Sequence, residues 1–347
     1  MLFLLAAQFV VAALVHFVIL RLTTGPMRVA IGTIFPLALL AIPVRHFVGD
    51  DLSDVKVLFI FAPGFAIFKC LDAAFRDDFE QTFGLDALWK TTLFLMLPTS
   101  PVWSSSSRTA KKPWLRSDDS PILSYSPDSF RGVLLTCLPR MLLASSIAYA
   151  VASVALDQVF GSVQTRFLMI VLLLAQISMF QDFATIVSAG VLFLLGASAV
   201  IPAGDAPLFS RSPSNFWQRQ SSSPGVHLRR SVYEPLMRHG YAHSTVAMGA
   251  TLAVNCIVHE IFFLWMMQNR VAIEYAPIFG AGFLAVALER WLKRSSVFPQ
   301  SGTRVILWFL LVALMIAFAP NAYTVAINPQ ANLQSQARKM LGLPSNI

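Results

Sequence analysis

Residues 2–20 carry no Asp, Glu, Lys or Arg, and only Gln8 and His16 interrupt their apolar character. Nineteen residues rising about 1.5 Å each come close to the ~30 Å hydrocarbon core of a bilayer. Further apolar runs lie at 29–44, 57–74, 132–156, 167–181, 183–201, 244–267, 272–292 and 304–324. A chain with so many such runs is constrained to pair its backbone groups within helices, because lipid offers them no partner. A secretory signal is the competing reading of the first run. No basic segment precedes it, and Arg21 and Arg28 follow it instead, so it reads as a transmembrane helix. The apolar stretch 84–97 is short and reads as an interfacial segment. Pro36, Pro43, Pro63 and Gly64 fall inside two of the runs, where neighbouring helices can satisfy the backbone groups they free.

Composition agrees. By length alone, 347 residues would suit roughly two soluble domains of about 150 residues each. The chain is 56% hydrophobic and only 13% charged, against about 25% charged in a soluble protein. That excludes an ordinary cytosolic enzyme, a disordered chain and a nucleic-acid module. The net charge of +8 reads as membrane topology and attraction to anionic headgroups. Cys70, Cys137 and Cys256 are too far apart for a disulfide framework or a thiolate metal site, and read as small apolar residues. No internal repeat is visible. The expected fold is therefore an all-α, multi-helix membrane bundle forming a single membrane domain over 1–347, with an internal cavity.

The basic residues orient it. Arg108, Lys111, Lys112, Arg116 and Arg131 lie in the loop 98–131; Arg211, Arg219, Arg229, Arg230 and Arg238 lie in 202–243; Arg290, Lys293, Arg294 and Arg304 form a third group. The positive-inside rule puts all three in the cytosol. Three candidate spans between the first two loops break the parity. Either one run within 132–201 fails to cross, or 167–201 is a pair broken at Gln181 and Asp182. The expected total is eight crossings, give or take one, with the N-terminus outside the cytosol.

Polar groups within such runs ask for a reason. His16 reads as a hydrogen-bonded structural histidine. Arg140 has Asp157, Asp182 and Glu274 as candidate partners, and sequence does not choose among them. Glu289 and Arg290 end a run and are expected to snorkel to the interface. The run 244–267 differs, because Asn255, His259 and Glu260 fall well inside it. Asn255 and His259 share a helix face, and Glu260 points about 100° away. Three polar groups there fit either a water-containing cavity or a helix–helix hydrogen-bond cluster. Phe263 stands where a zinc motif would need a second histidine, so no metal is implied. Upstream, Phe209, Phe216 and Trp217 alternate with Arg211 and Arg219. That pattern suits an interfacial anchor, or stacking and charge contacts to an anionic, adenine-containing ligand.

Pro207-Leu208-Phe209, then Ser214-Asn215-Phe216-Trp217 with Arg219, then His259-Glu260 in an apolar helix, resemble the wax synthase-like branch of the membrane-bound O-acyltransferases. The likeness is carried by residues 200–265, within a core of about 200–325. It implies a multi-pass enzyme of the endoplasmic reticulum that esterifies a lipophilic alcohol. The length and the Phe-rich helices are similar to fungal enzymes acylating terpenoid secondary metabolites, with acetyl-CoA or another acyl-CoA as co-substrate. His259 is then the catalytic base, with Asn255 and Glu260 supporting it. Phe209, Phe216, Trp217, Arg219, His227, Arg229 and Arg230 are the acyl-CoA contacts. One departure stands out: Gln220 is followed by Ser221 to Val226 before His227-Leu228-Arg229-Arg230. An insertion carrying the family's second polar residue to position 227, its loss by substitution, and a gene-model error all fit. Wax ester synthesis from a long-chain alcohol is the alternative activity. A transporter or channel with His and Glu on a proton path, and an inactive acyltransferase-like scaffold, are the rival classes.

Overall fold

The computed structural model describes residues 9–21, 25–40, 54–103, 130–158, 161–220, 222–238, 240, 244–267 and 276–294, with scattered positions beyond 333. The candidate span 304–324, Glu274, Arg304 and the loop centre 104–129, with Arg108, Lys111, Lys112 and Arg116, lie outside them. The chain is mostly helical. In order run α1 (Phe9–Ile19), α2 (Gly25–Leu40), α3 (Asp54–Phe75), α4 (Phe79–Phe83), α5 (Leu88–Met96), β1 (Ser100–Val102), α6 (Phe130–Asp157), α7 (Ser162–Leu194) and β2 (Ala199–Ile201). Then follow α8 (Pro213–Gln220), α9 (Ser222–Leu228), α10 (Glu234–Arg238), α11 (Ser244–Met267) and α12 (Ala276–Arg294). Among the described residues, α6 and α7 are long and apolar enough to cross a membrane.

The expected break at Gln181 and Asp182 is absent. α7 continues unbroken through both, so 167–181 and most of 183–201 form one helix, about 50 Å long. Two helices, not three, separate the basic loops. A carboxylate inside an apolar helix needs a partner, and Asp182 has one in Arg140.

The chain divides into two compact units. The first comprises 1–131, 184–203 and 221–272. Its core gathers Val15, Ile19, Phe79, Phe83, Leu85, Phe94, Ile201 and Val226. β1 and β2 pair antiparallel, with Ser100 opposite Ile201 and Val102 opposite Ala199. Gly84, at φ +69°, ends α4 by donating its N–H to the Glu80 carbonyl, a cap that glycine adopts without strain. Buried Arg28 closes the end of α3, donating to the carbonyls of Ala73 (2.8 Å) and Arg76 (3.1 Å). His16 bonds Thr91 Oγ1 at 2.9 Å, the structural role expected of it.

The second unit comprises 132–183, 204–220 and 273–347. Ala148, Ala152 and Ala155 of α6 pack on Met169, Leu172 and Ala175 of α7, small side chains letting the helices approach. The other face of α6 exposes Leu135, Leu142 and Tyr149. Ser146 and Ser153 each return their hydroxyl to the carbonyl four residues back, at 2.9 Å. A hydroxyl satisfied within its own helix suits a lipid-facing surface.

Candidate functional site

In the first unit, His227 sits in the middle of a buried hydrogen-bond chain. α9 delivers it, fully buried, into a box of Phe79, Phe83 and Phe94 rings whose centroids lie 5.4–6.4 Å away. Its Nδ1 meets Asp72 Oδ2 at 2.8 Å and its Nε2 meets Ser100 Oγ at 2.9 Å. Ser100 Oγ in turn lies 2.6 Å from Ser223 Oγ. Arg230 Nε donates to both Asp72 oxygens at 2.9 and 3.2 Å, and its Nη2 donates to Asp78 at 3.0 Å. Lys69, one helical turn before Asp72, donates to the carbonyls of Phe94, Leu97 and Thr99. Those bonds fix the end of α5 and the residue before Ser100.

Charge and valence set the direction of this chain. Burial pushes the His227 imidazole below its ordinary value, against the opposing hydrogen bond to Asp72. A neutral ring that donates Nδ1–H to a carboxylate has its lone pair on Nε2. Ser100 must therefore donate to His227, and Ser223 must donate to Ser100. Burial acts to raise Asp78, but Arg76 and Arg230 outweigh it and hold its carboxyl below the usual range.

His259 lies in the same unit, on α11. Its Nδ1 donates to the Asn255 backbone carbonyl at 2.9 Å, so the neutral ring again carries its lone pair on Nε2. The Asn255 side chain is not that partner; its buried Oδ1 has no hydrogen-bond partner among the described residues. Phe68 approaches the His259 ring, with centroids 6.3 Å apart. Phe68 and Asp72 are one turn apart on α3, so one helix face touches both histidines. Glu260 is half-buried. Arg229 is half-buried too, and its Nε lies 3.4 Å from Glu234, a carboxylate that also meets Arg76 and Arg238.

The remaining expected contacts belong to the second unit and hold its 204–220 loop. Arg140 bridges Asp182 (2.6 Å) and Asp205, choosing Asp182 from the candidates in the sequence. Arg219 pairs with Asp205 at 3.1 Å and donates to the carbonyls of Asp205 and Phe209 at 2.7 and 2.8 Å. Phe216 is buried and Phe209 half-buried. Trp217 stacks on Phe279, centroids 5.0 Å apart, and a Cβ on Gly282 of α12 would overlap its indole. Glu289 does not snorkel. It is fully buried and accepts both Ser214 N–H (2.9 Å) and Oγ–H (2.8 Å) at the start of α8, because an apolar interior favours a paired carboxylate over an unpaired one.

Sequence reading did not single out Asp72, Lys69, Ser100, Ser223 or Asp205. Lys69 and Asp72 carried a usable signal, two charges inside the apolar run 57–74. Ser100 and Ser223 carried none. No group of three or more potential metal ligands occurs among the described residues. No protein-family model and no curated protein matches the chain.

Proposed function

We propose that the chain is an acyl-CoA-dependent O-acyltransferase that esterifies a lipophilic alcohol within the membrane, with its chemistry in the first unit. The observation that carries this reading is the tautomer of His259. Its Nδ1–H is committed to the Asn255 carbonyl, which puts the basic lone pair on Nε2 in an apolar helix. Nε2 takes the proton of the acceptor hydroxyl while that oxygen attacks the thioester carbonyl, and the CoA thiolate leaves. The Asn255 side-chain amide, one turn away, has an NH2 that can donate to the developing oxyanion. All three arginines that the resemblance assigns to CoA are paired with carboxylates, Arg219 with Asp205, Arg229 with Glu234 and Arg230 with Asp72, and of the three only Arg230 is fully buried.

In this reading α6 and α7 are two of about eight crossings in a multi-pass protein of the endoplasmic reticulum. A cavity reaches His259 from the cytosolic face. The donor is acetyl-CoA or a close relative, and the acceptor a terpenoid alcohol or, alternatively, a long-chain alcohol. Microsomes containing the chain, given acetyl-CoA and a panel of both alcohol classes, should yield the ester by mass spectrometry. Microsomes containing an equal amount of His259→Ala protein should not. Equal yields from both would overturn the reading.

A further inference from the structure

We infer that Ser100 is a nucleophile, activated by His227 and Asp72, that takes up an acyl group from an activated donor. Three features carry this. Ser100 Oγ, His227 and Asp72 are joined by hydrogen bonds of 2.9 and 2.8 Å, in the order of a nucleophile, its base and the group orienting that base. The neutral imidazole fixes the direction, so the Ser100 proton points at Nε2. The supports are rigid: β1 pairing with β2, Lys69 on the Thr99 carbonyl, and Arg230 on Asp72. A histidine that only braced the fold would need a hydrogen-bond partner on each nitrogen. It would not need its hydroxyl partner to be held by a second hydroxyl that donates to it, as Ser223 does.

In the acylation step, Ser100 Oγ forms a bond to the acyl carbonyl carbon and its proton moves to His227 Nε2. The bond from that carbon to the donor's leaving atom breaks, and the leaving group departs with the proton from His227. With an acyl-CoA, the broken bond is C–S and the product is the CoA thiol. An acceptor hydroxyl then attacks the Ser100 ester and passes its proton to His227 Nε2, Ser100 leaves and takes that proton back, and the acyl group ends on the acceptor; this two-step route is separate from the direct transfer at His259. The identity of the donor rests on the acyltransferase reading; the nucleophile does not. Ser100 has no exposed surface, so the labelling rate includes the opening of this unit.

Two probes separate the claims. The purified full chain is treated with a fluorophosphonate, or with radiolabelled acetyl-CoA and no acceptor, and the adduct is mapped by peptide mass spectrometry. Phosphonylation forms an O–P bond at Ser100 and breaks P–F, with the proton leaving through His227. Adducts at Ser100 from both probes are expected. Ser100→Ala should lose them, Ser100→Cys should still take the acetyl group as a thioester, and His227→Gln and Asp72→Asn should slow labelling at least about a hundredfold. All variants are compared as monodisperse protein at matched concentration. A fluorophosphonate adduct at Ser100 without an acetyl adduct supports the nucleophile and removes acetyl-CoA as its donor. Adducts at Ser223 instead, or no adduct in protein that still transfers acyl groups, overturn the role of Ser100 and leave the acyltransferase reading intact. Neither adduct nor transfer overturns both.

Discussion

Each unit buries one dense polar array, and the two are built from different chemistry. In the first, an imidazole and two hydroxyls share protons between Asp72 and Ser223, with Arg230 and Lys69 braced around them. In the second, Arg140 and Arg219 meet Asp182 and Asp205, and no member is a hydroxyl or an imidazole. Guanidinium groups do not give up a proton in proteins. The second array therefore has no proton to pass through Arg140 or Arg219, and it ties the 204–220 loop to α6 and α7. The first contains an imidazole, a group able to take up a proton and give it back. Buried polar groups divide here into an array of imidazole and hydroxyls and an array of guanidinium–carboxylate pairs.

If this division is right, removing a histidine should cost activity and removing an arginine should cost the fold. The largest effect is expected at His259. His259→Ala should lower acyl transfer about 10²- to 10⁴-fold, in purified protein whose yield and melting temperature stay near wild type. A parallel loss of thermal stability would instead make His259 a packing residue.

Arg140→Leu should leave Asp182 and Asp205 buried without their bridge and destabilise the protein by about 3–5 kcal/mol. Thermal unfolding in detergent measures this. The double variant Arg140→Leu/Asp182→Leu should recover part of the loss, since the second change removes a stranded charge. A double variant no better than the single one would mean that the pairing matters less than the shape of Arg140.

Gly282→Ala comes next. Its methyl group enters the space of the Trp217 indole, costing about 1–3 kcal/mol. Adding Trp217→Leu should relieve the overlap, and the melting temperatures of the single and double variants test it. Unchanged stability on Gly282→Ala would show that α8 is not held tightly against α12.

Ser214→Ala removes one of two bonds to Glu289 at the start of α8 and should cost about 1 kcal/mol. The backbone N–H bond remains. Differential scanning of the variant against wild type is sensitive enough to see it.

The mildest probe is pH. His227 in the folded chain resists protonation, whereas in the unfolded chain it titrates at its ordinary value of 6.5. Below 6.5 the unfolded state binds the extra proton, so this group's contribution to stability is lost as pH falls. Above 6.5 both states are neutral and the contribution is flat. Melting temperature followed from pH 5 to pH 8 should show this slope in the wild type and a shallower one in His227→Gln.

The polar residues differ in how visible they were in the sequence. His259 and Asn255 stood out because four-residue spacing on one apolar helix is local information, and the structure keeps that helix. Arg140 was flagged for the same reason, but its partner was open among three. Asp182 won because α7 runs straight past α6 with the carboxylate at that level. The loop arginines were visible as a basic cluster beside aromatics, but their partners were not: Asp205, itself in that loop, takes Arg219, and Asp72, far away in sequence, takes Arg230. A break at Gln181 and Asp182 is one of two ways to restore the parity of crossings in the sequence; α7 runs on through both, and Asp182 meets Arg140. A paired charge needs no break.

What the sequence determined by itself was periodic and compositional: a mostly helical chain, apolar runs of spanning length that among the described residues the structure bears out in α6 and α7, and a histidine–asparagine pair on one apolar helix. These follow from apolar run length and 3.6-residue spacing, which act over neighbouring residues. Only the tertiary structure decided which buried charges pair. It carried Asp72 to His227 across 155 positions and Ser100 to it across 127, and it paired Arg219 with Asp205, Arg230 with Asp72 and Asp78, and Glu289 with Ser214. The reason is physical. An unpaired polar group in an apolar interior is costly, so the helix packing that brings partners from distant sequence within hydrogen-bonding distance is the one that is stable.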